Sequence, residues 1–131
     1  MNSAFQIVGL NYVSLYVHDF QEAIAFYTQI FGAPESVDVL GKIYGWRMGS
    51  TWLTLFPSKI GTDPQRNPCN MEFAIHVATT AEVDRLYSAL LAAGAQKCMA
   101  PEDTEMYEPM RFACVDDPFG VRIDVYCPLA V

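Results

Sequence analysis

Hydrophobic and polar positions alternate with a period of two from Leu10 to Val17, with Val13, Leu15 and Val17 on one side and Tyr12, Ser14 and Tyr16 on the other. Such alternation marks a strand with two chemically different faces. The period then changes. Ala23, Ile24, Tyr27, Ile30 and Phe31 recur at helical spacing, so one stripe of the following helix is apolar. Asp19 with Glu22 three residues later predicts a capping box at its start, and Gly32 and Pro34 supply stop signals at its end. Short strand-like pieces follow at Ser36 to Leu40, Lys42 to Met48 and Thr51 to Phe56, separated by Gly41 and by Gly49-Ser50.

The same pattern returns about sixty residues later. Val17 corresponds to Val77, Glu22 to Glu82, Tyr27 to Tyr87, and Ile30-Phe31 to Leu90-Leu91. Phe73, Ile75 and Val77 alternate with Glu72, Ala74 and His76, and Thr79 with Glu82 repeats the capping box. After the helix, Pro101 to Pro109 reads as an acidic loop, Met110 to Val115 as a strand, and Asp116-Asp-Pro-Phe-Gly120 as a tight turn. Val121 to Tyr126 closes the unit, with Arg122, Asp124 and Tyr126 on one face. The expectation is a single α+β domain over residues 1–131. It comprises two tandem βαβββ modules related by an internal pseudo-twofold, spanning about 8–57 and about 71–128, with a connector at about 58–70. Each helix should cover the aliphatic face of its strands. The other faces, rich in Tyr, Trp, Thr, Glu, His, Arg and Asp, suit a curved mixed sheet around a ligand cavity, with the helices outside.

Composition narrows the function. Hydrophobic residues make up 52% and charged residues 18%, which excludes a disordered segment. The charge-free run from Ala4 to Val17 is too short and too polar to span a bilayer, and the first residues lack the basic region of a secretory signal. A cytoplasmic location without membrane association is therefore expected. Fifteen acidic against eight basic residues give a net charge of −7, which disfavours nucleic acid and favours a cationic or neutral small ligand. The same charge could equally serve solubility alone. Cys69, Cys98, Cys114 and Cys127 show no CxxC spacing, so reduced, inert thiols are expected rather than disulfides or a zinc site.

Two segments carry a family resemblance: Val17-His-Asp-Phe-Gln-Glu-Ala-Ile-Ala-Phe-Tyr27 with Phe31-Gly32, and Asp116-Asp-Pro-Phe-Gly-Val-Arg-Ile-Asp124. They resemble the strand-to-helix signature and the closing strand of the vicinal oxygen chelate superfamily. That group includes glyoxalase I, bleomycin-resistance proteins, extradiol dioxygenases and fosfomycin-resistance transferases. The resemblance implies a homodimer and, in metal-dependent members, His or Glu ligands at four pseudo-symmetric strand positions. Here those positions carry Tyr12, Thr54, Glu72 and Asp124. Two carboxylates without an imidazole are not the usual transition-metal set.

The expected cavity face collects Tyr12, Tyr16, Trp52, Thr54, Phe56, Glu72, His76, Arg122, Asp124 and Tyr126. Aromatic walls with two carboxylates suit a flat or cationic molecule. The leading reading is a small-molecule binding protein with no metal cofactor and no assigned catalytic residue. The alternative is a divalent-metal-dependent lyase, isomerase or dioxygenase-like enzyme using Glu72 and Asp124, with His76 as a further donor. A third reading has Arg122 pairing with Glu72 or Asp124 while the aromatics fill the cleft. Carboxylates brought close without a cation should raise the pKa of one of them.

Overall fold

A computed structural model describes residues 12–59, 71–105 and 108–130. The first module runs β1 (Tyr12–Val17), α1 (Phe20–Phe31), β2 (Ser36–Val37), β3 (Tyr44–Met48) and β4 (Thr51–Pro57). The second runs β5 (Met71–His76), α2 (Thr80–Ala92), β6 (Gln96–Glu105), β7 (Pro109–Asp116) and β8 (Val121–Pro128). Each module is therefore a βαβββ unit, as the duplication predicts. Among the described residues the strands form two four-stranded mixed sheets, ordered β1-β4-β3-β2 and β5-β8-β7-β6, with no closed barrel. β1 runs parallel to β4 and β5 parallel to β8, and the other pairings are antiparallel.

Alternation in the sequence becomes sidedness in the sheet. Along β8, Val121, Ile123, Val125 and Cys127 are buried, while the intervening Arg122, Asp124 and Tyr126 are half-buried. Leu15 and Val17 of β1 and Leu53 and Leu55 of β4 join Phe26 and Tyr27 of α1 in the core. This core is one cluster that also includes Val83, Leu90, Val115 and Ile123, so both modules share it.

The helix ends follow their local chemistry. Gly94 (φ 117°) and Ala95 return their N–H groups to Leu91 O and Leu90 O, the paired closing bonds of a Schellman turn. At the end of α1 the Trp46 indole N–H donates to Gly32 O over 2.8 Å, tying β3 to the helix terminus. Thr79 Oγ1 accepts from Glu82 N, as predicted for α2. The equivalent cap of α1 is not formed by the Asp19 side chain. Its carboxylate instead lies 3.5 Å from His18 Nδ1, both groups being largely exposed.

Three other expectations change. The strand expected over Ser36 to Leu40 stops at Val37, because Asp38 Oδ1 accepts from the N–H groups of Lys42 and Ile43 and folds the chain into a turn. Most of the expected acidic loop is strand instead. Residues 101–105 continue β6, whose exposed positions carry Glu102, Asp103 and Glu105 opposite β7. Polarity there reflects an edge strand rather than a break in pairing. Finally, Cys98 and Cys114 are bridged across β6 and β7, with Cα atoms 5.2 Å apart. Cys127 is a buried free thiol, and Cys69 lies outside the described residues.

One buried polar contact joins the modules. Tyr27 Oη of α1 donates to Asp117 Oδ2 in the β7–β8 turn over 2.6 Å, and Asp117 Oδ1 accepts from the N–H groups of Phe119 and Val121 at 2.8 Å each. Phe26 packs edge-on against Phe119 beside it. Replacing Tyr27 by Phe should lower stability by about 1–3 kcal/mol, the range for a buried hydrogen bond to a carboxyl. Asp117→Ala should cost more, because it also strands two backbone donors. Urea denaturation of the two variants checks the order, and an unchanged midpoint for Tyr27→Phe would show the contact contributes nothing.

Candidate functional site

Non-aliphatic positions of β5, β8 and β7 rise from one face of the second sheet. The register sets Glu72 opposite Arg122, Ala74 opposite Asp124, and His76 opposite Tyr126. On the other flank of β8, Asp116 stands opposite Arg122 and Cys114 opposite Asp124. Arg122 donates from Nε to Asp116 Oδ1 at 2.8 Å and from Nη2 to Asp116 Oδ2 at 3.1 Å. That hydrogen bonding, followed by the nearby negative charge, holds the guanidinium above its ordinary pKa. The neighbours Glu72 and Asp124 add smaller attractions in the same direction. Arg122 thus pairs with Asp116, a residue the sequence reading had placed only in a turn.

Asp124 is the most perturbed group on this face. Burial first, then hydrogen-bonding contact and charge repulsion from Glu72, push its carboxyl up to about 7. Arg122 opposes the shift but does not cancel it. Ala74, opposite Asp124, offers no donor, and Asp124 Oδ1 is buried without a hydrogen-bond partner. The His76 and Tyr126 rings stack beside the acids with centroids 4.9 Å apart.

In the first module the same positions carry different chemistry. Tyr16 and Phe56 stack at 5.0 Å, matching His76 and Tyr126. Ser14 and Thr54 share a 2.7 Å hydrogen bond where the second module has Ala74 and Asp124. Tyr12 lies opposite Trp52, where the second module has Glu72 opposite Arg122. The Arg47 guanidinium sits 5.5 Å from the centre of the Trp52 ring, in the place of the Asp116–Arg122 ion pair. A Cβ on Gly45 would meet that ring at 3.3 Å, so glycine there leaves room for Trp52. Tyr12 and Tyr16 are 60% and 55% exposed, so this face is open rather than filled by its own aromatics.

The ten predicted residues are thereby divided between two sheets. Tyr12, Tyr16, Trp52, Thr54 and Phe56 share the first face; Glu72, His76, Arg122, Asp124 and Tyr126 share the second. A cleft of about 680 Å³ lies where the β3–β4 hairpin approaches β5. Trp52 and His76 line it with Arg47, Val13, Leu53, Phe73 and Ile75, and the carboxylate pair is not among its lining residues. Sequence reasoning missed Asp116, Arg47 and Gly45. Their signal was alternation within β3 and β7, one residue out of step with the buried Trp46 and Val115.

The four strand positions that the resemblance assigns to metal ligands carry two neutral hydroxyls and two carboxyls here. Tyr12 and Thr54 lie in one sheet, Glu72 and Asp124 in the other, and the His76 ring is engaged with Tyr126. Among the described residues no group of three or more His, Cys, Asp or Glu side chains converges as a ligand set.

Two modules with these face positions define a βαβββ tandem-repeat protein. The family model for the Glyoxalase/Bleomycin resistance protein/Dioxygenase superfamily matches residues 9–125, and the chain belongs to that superfamily. A glyoxalase/dioxygenase from Nostoc punctiforme superposes with a TM-score of 0.76 at 21% identity, covering 99% of each chain. A glyoxalase-related enzyme from Fulvimarina pelagi gives a TM-score of 0.72 at 21% identity, over 92% of this chain and 88% of that one. Lactoylglutathione lyase from Agrobacterium tumefaciens gives 0.67 at 20% identity, over 93% and 95% respectively. No curated protein sequence matches the chain. Identities this low speak for the fold alone.

The Asp124 shift gives a signed stability prediction. Its folded pKa of about 7 lies above the ordinary value of about 4, so between those values the folded protein holds a proton the unfolded chain has lost. Stability should fall as pH rises through that window. Asp124→Asn should flatten the fall, seen by denaturant titration at about pH 5 and about pH 8. Parallel losses in both proteins would remove the pair as its source.

Proposed function

We propose that this chain binds a small molecule, cationic or aromatic, on the open face of the second module, without the superfamily's usual His/Glu metal centre. The carrying observation is the Glu72–Asp124 contact with Asp124 Oδ1 buried and lacking a donor. A cationic ligand beside the pair offsets the repulsion between the acids, and a turn of the Asp124 carboxyl brings Oδ1 to its N–H. The His76–Tyr126 stack offers a flat wall beside them for an aromatic body. Trp52, Phe56, Tyr12, Tyr16 and Thr54 supply the facing aromatic surface if a second copy completes the cleft, and a homodimer is the assembly the family resemblance implies. Net charge of −7 supports a cation over an anion or a nucleic acid. A cytoplasmic setting agrees with the sequence, and among the described residues no helix is long and apolar enough to cross a membrane.

Benzamidine, a planar aromatic amidinium, is a suitable first probe. Near pH 8 it should raise the melting temperature by about 2 °C or more at saturation, and Glu72→Gln with Asp124→Asn should abolish the shift. A shift that survives both substitutions would place binding elsewhere. Metal analysis of protein purified without chelator separates the enzyme alternative. The proposal expects well under one equivalent of transition metal, and a stoichiometric metal lost in Glu72→Gln would favour the metal-dependent reading.

A further inference from the structure

The geometry points to Cys98 and Cys114 as a reversible redox site whose state sets the hydrogen bonding of Asp124. Three placements carry this. Cys114 and Asp124 are register partners across β7 and β8, so their side chains rise from the same face, with Cβ atoms in such pairs about 4.5–5.5 Å apart. Asp124 Oδ1 is buried without a donor while Cys114 is bridged, and a bridged sulfur has no proton to give. Ala74, on the opposite flank of Asp124, has none either.

The bridge is also accessible from one side. β6 is the edge strand, and its register with β7 shifts both before and after Met99. Met99 is the Cα partner of Cys114, yet it is Cys98 that reaches the Cys114 sulfur, so the irregularity turns Cys98 inward. Cys98 remains partly exposed, whereas Cys114 is 4% exposed. A dithiol reductant would therefore attack Cys98 Sγ with one thiolate. The Cys98–Cys114 bond breaks, a mixed disulfide forms at Cys98, and Cys114 leaves as a thiolate that takes a proton from water. The reductant's second thiolate then displaces Cys98 Sγ, which is protonated in turn. Two electrons pass to the protein, and the reductant leaves as its own disulfide. The new Cys114 S–H can donate to Asp124 Oδ1. In compartments that keep thiols reduced, disulfides are characteristically transient or sensing, and this one adjoins the proposed site.

The consequence for binding rests on the ligand reading above, but the redox coupling does not, and the two are tested separately. Protein equilibrated with oxidised glutathione, then with dithiothreitol, is alkylated and mapped by mass spectrometry. Cys98 and Cys114 should label only after dithiothreitol, with labelling reversed by reoxidation; labelling of both in the oxidised sample would overturn the site. The Asp124 side-chain carboxyl ¹³C resonance, assigned with Asp124→Asn, should move between the two states. Cys98→Ala, which leaves the Cys114 thiol free, should fix it at the reduced position. Cys114→Ala, which removes both bridge and donor, should leave it near the oxidised one. A resonance unmoved by reduction, or identical in the two variants, would sink the coupling. Benzamidine should bind the oxidised protein several-fold more tightly, since reduction fills Oδ1. If benzamidine binds neither form while the resonance still moves, the ligand reading fails and the redox inference stands.

Discussion

A single buried carboxyl holds the architecture together. Asp117 sits in the β7–β8 turn of the second module, yet it receives the hydroxyl of Tyr27 from the helix of the first. Most of the side chains clustered around it are apolar and tolerate sliding, whereas a desolvated acid tolerates little. Burial raises the pKa of Asp117, while its hydrogen bonds from Tyr27 and from the Val121 and Phe119 N–H groups pull the other way. The acid therefore has a reason to stay where those donors are, and that ties α1 to the β7–β8 turn. Burial likewise pushes the Tyr27 phenol well above its ordinary range, so it remains a donor at any physiological pH.

With the modules locked by their helix side, their other faces are free to diverge. They have done so position by position. A stacked ring pair survives in both, as Tyr16–Phe56 and His76–Tyr126. Around it, the first module keeps neutral partners that satisfy one another, such as Ser14 with Thr54. The second leaves Asp124 Oδ1 without a partner. Asp124 would find a hydroxyl if position 74 matched Ser14, but alanine stands there, and the neighbouring acid Glu72 is the group it meets instead. A stable sheet face has no need of such an arrangement, because an unsatisfied buried acceptor costs free energy that an apolar residue would avoid.

Much of the fold was legible because it depends on period alone. Val13, Leu15 and Val17, and their echoes Phe73, Ile75 and Val77, place the helix-covered faces without reference to distant residues. The errors fall where a side chain competes with the local pattern. Asp38 ends a strand by capturing two backbone donors, and Asp19 lies beside His18 instead of capping its helix. β6 was hidden because an edge strand can be as acidic as a loop. In the site, sequence placed Glu72 and Asp124 on one face but could not reveal the partner of Arg122. Asp116 reaches it through the β7–β8 register, a pairing that no local spacing encodes.

That pairing decides the electrostatics of the face. Had Arg122 bridged Glu72 and Asp124, its charge would have neutralised them and left an ordinary structural ion pair. Arg122 is bound on two atoms to Asp116 and adds a weaker attraction to both acids. Its attraction lowers the Asp124 pKa by less than burial and Glu72 raise it. The face thus keeps an excess of negative charge, a proton held near neutrality, and one buried oxygen with an open lone pair. Each of these is relieved by the same kind of visitor, a positively charged N–H donor. Where metal-dependent members place histidine in the first strands, this chain has Tyr12 and Glu72, and on the proposed reading the unmet hydrogen bond and surplus charge of the second face favour an organic cation.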